Sequence, residues 1–290
     1  MSMDVLQDKI RKKKNPTILD LNLSPQDIPE RFLSEHKHPA EAVGECCVEL
    51  LSGMKTVIPA VRFGYGWYAL MGTEGLVQLQ RLLCKASELG YYVLLNAPEI
   101  FSVDAAKYTA EALLGEEGVF PCDGLVVSGY LGSDVIKAFL PLCKSRKKDV
   151  FLVGRTANKS APEIQDLLSG SRLVHAAAAD YANRLGSGTA GKSGYNHIGF
   201  LAAATAANSL KSLREKYPGL FLLVDGYDYP GANAKNCSFA FDKYGHGAVV
   251  CAGRSISCAW NQVEAGDLVS NAVAAAERMK KNLNNYITVL

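Results

Sequence analysis

Eight short apolar segments alternate with longer helix-like segments, and this alternation limits the possible folds more than any other feature of the chain. The segments are apolar without a strict polar–apolar alternation, which is typical of parallel strands covered by helices. They are Thr17–Asn22, Thr56–Arg62, Tyr91–Ala97, Asp123–Val127, Asp149–Arg155, Ile198–Ala204, Leu220–Gly226 and Gly247–Ala252. Eight strand–helix repeats predict an α/β fold, a single (β/α)8 TIM-type barrel with extra helices.

Apolar residues at helical spacing mark the segments between these strands. The predicted helices are Thr73–Leu89, Asp104–Leu114, Ser133–Cys143, Ala161–Leu168, Ser209–Tyr217 and Leu268–Leu283, with Ala40–Ser52 and Leu173–Leu185 as the extra ones. A doubly wound open sheet is the alternative fold, but no G-x-G-x-x-G motif follows an early strand. Because no linker rich in Pro, Gly or Ser interrupts the chain, we expect one domain over residues 1–290.

The amino-acid composition and net charge limit the kinds of partner that the chain is expected to bind. The chain is 48% hydrophobic and 21% charged, which excludes intrinsic disorder. With 31 Lys and Arg against 29 Asp and Glu, the net charge is +2, so neither nucleic acid nor an anionic membrane is an expected partner. No apolar run approaches the roughly 20 residues of a membrane span, and no apolar signal region follows the first Met. A cytoplasmic protein is expected.

Cysteine and histidine spacing predicts neither a metal site nor a disulfide framework. None of the eight cysteines forms a C-x-x-C pair or stands at zinc-site spacing from a histidine. His175, His197 and His246 have no nucleophile or metal partner at a recognisable spacing, so hydrogen-bonded structural roles are expected for them. We expect no metal and no cofactor.

The loops after the last two strands carry the clearest site signal. In (β/α)8 barrels the active site lies at the carboxyl ends of the strands, and the loops after strands seven and eight often bind phosphate. Here these loops read Asp225–Ala232 and Gly253–Ser255. Their glycines would let backbone N–H groups approach an anion, and Arg254 could add a bidentate contact. A tight turn with a solvated arginine is the alternative. Arg62, at the end of the second strand, points either into the mouth of the barrel or into a structural ion pair.

Many short motifs match one known family in order and spacing. They include Met71–Gly75, Ala106–Leu114, Tyr130–Asp134, Arg155–Asn158, Gln165–Leu167, Ala204–Thr205, Gly226–Tyr227, Gly231, Arg254–Ser255 and Ala259–Trp260. Over nearly its whole length the chain resembles the orotidine 5′-phosphate decarboxylase family in its longer bacterial form. The resemblance implies cofactor-free conversion of orotidine monophosphate (OMP) to UMP and CO2 in pyrimidine biosynthesis. It also implies a homodimer in which the partner supplies pocket residues.

The charge network that the resemblance implies is replaced in this chain. The family surrounds the pyrimidine with a Lys-Asp-Lys-Asp network, and one lysine protonates the carbanion left at C6. At the positions of this network and of the family's strand-one aspartate, this chain has Asn22, Arg62, Asn96, Pro98 and Phe101. Pro98 has no amine, and an arginine is a poor acid because it stays protonated. The resemblance therefore implies a family member whose decarboxylation is weak or lost.

The phosphate end departs less from the family pattern. Arg254 stands at the position of the family's phosphate arginine, and Gly226 and Gly231 match its loop. Pro230 replaces a glutamine, and two aspartates replace Pro and Gly. The expected ligand or phosphate contacts are Thr205, Gly226, Gly231, Gly253 and Arg254. Whether Arg254 binds phosphate or pairs with Asp228 stays open.

Three hypotheses follow for the function. The first is a barrel that binds a phosphorylated or nucleotide-like small molecule with little or no decarboxylation. The second is a working OMP decarboxylase or another lyase that uses a new charged set of Arg62, Glu99, Asp225 and Asp228. The third is a non-catalytic dimeric interaction protein, in which Phe101 favours apolar contact.

Overall fold

In the part of the chain that the structure describes, ten strands form a closed barrel and one small hairpin. The computed structural model describes residues 2–98, 100–262 and 267–288. The strands are β1 (Thr17–Asp20), β2 (Ala60–Gly64), β3 (Tyr92–Asn96), β4 (Gly124–Ser128), β5 (Asp149–Arg155), β6 (Leu168–Ser169), β7 (Arg172–Leu173), β8 (Ile198–Ala203), β9 (Leu222–Asp225) and β10 (Ala248–Ala252). The barrel order is β1-β2-β3-β4-β5-β8-β9-β10, and β10 pairs with β1 to close it. All eight barrel pairings are parallel, so the predicted (β/α)8 fold is confirmed.

Helices cover the outside of the barrel. They are α1 (Ser2–Lys13), α2 (Glu30–Glu35), α3 (Pro39–Met54), α4 (Tyr65–Ala69), α5 (Gly72–Glu88), α6 (Val103–Leu114), α7 (Ser133–Lys137), α8 (Leu140–Arg146), α9 (Pro162–Gln165), α10 (Val174–Gly186), α11 (Ala207–Lys216), α12 (Ala234–Ser238), α13 (Arg254–Ser257) and α14 (Leu268–Asn284). Two 3₁₀ turns lie at Pro25–Asp27 and Ala259–Gln262. Within the described ranges no helix is both long and apolar enough to cross a bilayer.

Two predicted helices were wrong in their extent. The segment Ser133–Cys143 is two helices, because Pro141 in the first turn of α8 has no N–H and its ring would clash with the carbonyl four residues earlier. The predicted helix Ala161–Leu168 ends at Gln165, and Leu168 instead begins β6, which pairs antiparallel with β7. β6 and β7 are each only two residues long, which is too short for a sequence pattern to predict them.

The amino end of the barrel is closed by α1. Its apolar residues Met3, Leu6 and Ile10 are buried in one cluster with barrel residues that include Tyr92 and Phe151. Asp149 is fully buried nearby and accepts hydrogen bonds from the Tyr92 hydroxyl (2.6 Å) and from Nδ1 of His197 (2.8 Å). Burial raises the pKa of Asp149, although these two hydrogen bonds oppose the change. The carboxyl ends of the strands therefore form the open mouth.

The predicted histidine roles hold at two of three positions. Asp149 fixes His197, and Nδ1 of His175 lies 2.9 Å from the carbonyl oxygen of Gln165. The ring Nε2 of His246 is buried without a hydrogen-bond partner among the described residues. The third histidine thus packs without the side-chain hydrogen bond that was expected.

Strand register places the mouth residues side by side. Asp20 pairs with Arg62 across β1 and β2, and Gly64 pairs with Asn96 across β2 and β3. Asp225 ends β9, opposite Ala203 of β8. Because parallel strands of a barrel all end at the same rim, these side chains meet there although they lie far apart in sequence.

Candidate functional site at the barrel mouth

Two cavities open at the mouth and share Arg62, Asn96 and Asp225. The first, which we call the apolar cavity, has a volume of about 350 Å³. Its other lining residues include Pro98, Ile100, Val126, Val153, Thr156 and Leu201. The second, the polar cavity, has a volume of about 630 Å³. Its other lining residues include Asp20, Trp67, Asp228, Tyr229, Gly253 and Arg254.

Arg62 is the buried cation between the cavities. Its Nη2 lies 2.5 Å from Oδ2 of Asp20 and 2.9 Å from Oδ1 of Asp225, and only 6% of its side chain is exposed. Burial alone would lower the pKa of Arg62, but the two carboxylates raise it well above its usual value. Burial in turn raises the pKa of Asp20, although Arg62 opposes the change. The structure thus satisfies both sequence alternatives, because Arg62 lines the mouth and is ion-paired there.

Asp20 is a mouth residue that the sequence analysis missed. It ends β1 two residues before Asn22, and its carboxylate contacts both Arg62 and Asn22. Pairing β1 with β2 in register would have brought it opposite Arg62. The family resemblance implies a role for Asn22 at this strand end instead.

The positions to which the resemblance assigns catalysis are held here by residues with other contacts. Asn22 donates from Nδ2 to Asp20 (2.7 Å) and accepts from the N–H of Gly64 (2.6 Å), so its amide braces two strands. Asn96 lines both cavities, and its buried Oδ1 has no hydrogen-bond partner within the part of the chain described. Pro98 lines the apolar cavity, while Phe101 is 79% exposed. Glu99 of the predicted charged set lies outside the described residues.

Arg254 is already engaged by a carboxylate. Its Nε and Nη2 donate to Oδ1 and Oδ2 of Asp27 at 2.8 and 2.9 Å, and its guanidinium lies 5.3 Å from the ring centre of Trp67. These hydrogen bonds hold the pKa of Asp27 at about 2, together with those from Ser24. Pairing of Arg254 with Asp228 was one predicted alternative and is wrong, because Asp27 takes that place.

Asp228 binds the backbone of the last loop. Its carboxylate accepts from the N–H of Gly253 (2.9 Å), from the N–H of Ser255 (3.3 Å) and from the Ser255 hydroxyl (2.5 Å). The chain can bring it there because Gly226 turns with φ of 76°. That conformation is one that L side chains rarely adopt, and a Cβ at 226 would lie only 2.4 Å from Cβ of Ala157.

The remaining predicted contact residues are divided between the loops. Gly231 turns with φ of 91° in the loop after β9 and has open space around it. Gly253 lines the polar cavity, as do Gly226 and Asp225. Thr205 lies half-buried in the turn after β8 and is not among the lining residues of either cavity. Within the described ranges, no group of three or more His, Cys, Asp or Glu could hold a metal ion.

The cations that line the two cavities are both arginines. Arg62 and Arg254 are present, and no lysine or histidine is among the described lining residues. Arg62 is paired with Asp20 and Asp225, and Arg254 with Asp27. The fold and the mouth define a (β/α)8 barrel with two cavities at its mouth, and both arginines that line these cavities are paired with carboxylates.

Known proteins resemble this chain over nearly its whole length. It is 27% identical over 267 residues to an orotidine 5′-phosphate decarboxylase of Clostridium novyi, covering 91% of each chain. It is 25% identical over 300 residues to the enzyme of the same name from Caldicellulosiruptor saccharolyticus, covering 98% of each. It is 28% identical over 265 residues to the Clostridium perfringens protein of that name, again covering 91% of each chain. No family model matches the chain.

Solved structures agree on the fold. An OMP decarboxylase of Leishmania donovani superposes with a TM-score of 0.76 at 22% identity, covering 98% of each chain. That of Plasmodium berghei superposes with a TM-score of 0.78 at 12% identity, covering 98% of this chain and 99% of the other. The resemblance predicted from the motifs is confirmed: the chain is a relative of the orotidine 5′-phosphate decarboxylases.

Proposed function

We propose that this protein is a small-molecule-binding barrel that does not decarboxylate OMP by the route of its relatives. The observation that carries the proposal is the state of Arg62. It stands where the family has a lysine, and it is buried between Asp20 and Asp225. The other changed positions support the same conclusion, because Asn96 and Pro98 carry no charge.

Proton delivery is the first reason. Loss of CO2 from a pyrimidine leaves a carbanion that needs a proton, and an effective acid has a pKa near the working pH. The pKa of a guanidinium lies far above that range, and the carboxylates of Asp20 and Asp225 raise the pKa of Arg62 further. The described lining residues include no lysine or histidine that could donate this proton near neutral pH.

Charge balance is the second reason. Asp20, Asp225 and Asp228 line the polar cavity together with two arginines that already have carboxylate partners. A like charge about 4 Å away costs about 4 kcal/mol at an effective dielectric constant of about 20. A substrate with both a carboxylate and a phosphate would be repelled by these aspartates at each of its two charged groups.

The cavities are nevertheless of a size that suits a small ligand. The apolar cavity, at about 350 Å³, lies within the usual 300–1,000 Å³ range of small-molecule sites. The name of the relatives makes a pyrimidine nucleotide or a related compound the first class to test. We therefore propose a nucleotide-like ligand, phosphorylated or not, and no cofactor.

An OMP turnover assay tests the loss of activity directly. We expect no conversion of OMP to UMP above a protein-free blank, at any enzyme concentration that can be prepared. Arg62→Lys is the matched variant, because it restores the residue type of the family at one position. Turnover by the wild-type chain that Arg62→Ala abolishes would overturn the proposal and favour the divergent lyase.

A dimer is the second proposal, and the exposed Phe101 side chain favours it. An aromatic ring that is 79% exposed beside the mouth suits a contact with a second copy of the chain. Light scattering should give a dimer mass, and Phe101→Asp should shift the distribution toward the monomer. A wild-type chain that stays monomeric at high concentration would contradict both the proposed dimer and the hypothesis of an interaction protein.

A further inference from the structure

The loop after β10 is bonded to a carboxylate from the neighbouring loop. Asp228, in the loop after β9, accepts from the N–H of Gly253 (2.9 Å), the N–H of Ser255 (3.3 Å) and the Ser255 hydroxyl (2.5 Å). Two backbone N–H groups and a hydroxyl that converge on one carboxylate are the kind of donors with which loops bind anions. The loop after the eighth barrel strand therefore already binds an anionic group, and that group belongs to the chain itself.

Arg254 lies next to these donors in the sequence and keeps one nitrogen free. Its Nε and Nη2 donate to Asp27, and no hydrogen bond of its Nη1 is found within the described ranges. Its side chain is 52% exposed. Asp228, Gly253 and Arg254 all line the polar cavity, at the two loops that often bind phosphate in (β/α)8 barrels. The groups that a phosphate would need are thus present, but the Asp228 carboxylate is bonded to them.

The backbone of its loop holds Asp228 close to these donors. Gly226 turns with φ of 76°, a conformation that L side chains rarely adopt. The N–H of Tyr229 donates to the carbonyl oxygen of Gly226, and the N–H of Ala232 to that of Tyr229, both at 3.1 Å. Because these turns order the loop, the carboxylate is present at its donors at a high effective concentration. A free phosphate would have to displace it and would remain near a like charge.

We infer that Asp228 is a specificity-determining residue, whose carboxylate occupies the donors of the last loop as an internal anion and excludes phosphorylated ligands from the polar cavity. The inference rests on the proposed function and decides between two of its alternatives, because it selects an unphosphorylated ligand. A residue that only braces the two loops would stabilise the fold without any influence on which ligands bind.

Replacing Asp228 by alanine tests this role with inorganic phosphate as the probe. Calorimetry on the full-length wild-type chain should show no binding of phosphate at millimolar concentration. Asp228→Ala frees two N–H groups and a hydroxyl, so it should bind phosphate at least about tenfold more tightly. Asp228→Asn removes the charge but keeps an acceptor, so its gain should be smaller. Equal phosphate affinities of the wild type and of both variants, with their folds verified by circular dichroism, overturn the inference.

Arg254 and Asp242 provide the controls. Adding Arg254→Met to Asp228→Ala should remove the gained affinity, and a gain that survives this change contradicts the inference, because the phosphate then binds elsewhere. Asp242 also accepts from two backbone N–H groups, at 2.8 and 2.9 Å, and from the Tyr195 hydroxyl, at 2.8 Å, but it precedes β10 at the closed amino end of the barrel. Asp242→Asn should therefore gain no phosphate affinity. A gain equal to that of Asp228→Asn would indicate a general effect of charge and contradict the inference.

Uridine and UMP extend the test to ligands of the proposed class. They differ only in the phosphate, so the ratio of their affinities measures phosphate recognition. We expect the wild type to bind UMP no more tightly than uridine, and Asp228→Ala to shift the ratio toward UMP at least about tenfold. A wild-type preference for UMP of about tenfold or more overturns the inference. If the wild type binds neither compound, the proposed ligand class is wrong, and the experiment with inorganic phosphate still decides the role of Asp228.

Discussion

Replacing Arg62 by methionine should lower the free energy of unfolding by about 3–5 kcal/mol, because it leaves two carboxylates at the mouth without their partner. Methionine is similar in length, so the loss of packing is small compared with the loss of charge. The side chains of Arg62, Asp20 and Asp225 are 6%, 17% and 30% exposed, so solvent screens the cluster only in part.

The magnitude follows from two opposing terms. With charge centres about 4 Å apart and an effective dielectric constant of about 20, each contact of Arg62 contributes about 4 kcal/mol. Desolvation of each ion costs several kcal/mol, so the net gain of the intact cluster is small. Without the arginine, Asp20 and Asp225 keep their desolvation cost and also repel each other. The variant therefore loses more stability than the intact cluster contributes.

Urea denaturation at neutral pH measures this change. The control is Arg81→Met, because Arg81 pairs with Glu45 at 2.7 Å while both side chains are 37–47% exposed. Such a surface pair contributes about 0–1 kcal/mol. Adding Asp20→Asn to the Arg62 variant should recover part of the lost stability, since one unpaired charge disappears. A loss below about 1 kcal/mol for Arg62→Met, with an unchanged m-value, would refute the view of Arg62 as a buried compensating charge.

Three further changes have defined outcomes. Gly226→Ala should cost about 1–3 kcal/mol in a urea titration, because residue 226 has φ of 76° and the new Cβ would meet Ala157; a neutral result would contradict the required turn. Asp149→Ala should cost about 2–4 kcal/mol, since two buried polar partners lose their acceptor, and thermal melting would detect it. The Asp27 pair stabilises the fold fully above pH 3.8, the usual pKa, and its contribution should fade as the pH drops toward about 2; Arg254→Met should reduce that component of an acid titration and leave the part due to the Ser24 hydrogen bonds.

The barrel was predictable from sequence because covered parallel strands are apolar on both faces. All eight predicted strands are present in the barrel, and the observed bounds differ from the predicted ones by a few residues at most ends. The errors fall where local patterns are weak. Pro141 divides one predicted helix, and the two-residue strands β6 and β7 follow α9 where a longer helix was expected.

The sequence predicted which residues line the mouth, but it did not predict which of them form ion pairs. Arg62, Asn96, Asp225, Gly253 and Arg254 all line its cavities, as expected from strands that end at one rim. Their partners could not be read from a pattern. No spacing rule links residue 254 to residue 27, 227 positions away, or residue 225 to residue 62, 163 positions away.

The sequence by itself determined the architecture, the resemblance to the orotidine 5′-phosphate decarboxylases and the residue types at the ends of the strands. Residue type and local periodicity are enough for these, since both are written along the chain. The tertiary structure alone decided which carboxylate neutralises which arginine and which buried atoms stay free. Those facts depend on strand register and loop closure, which bring together side chains that no local interaction connects.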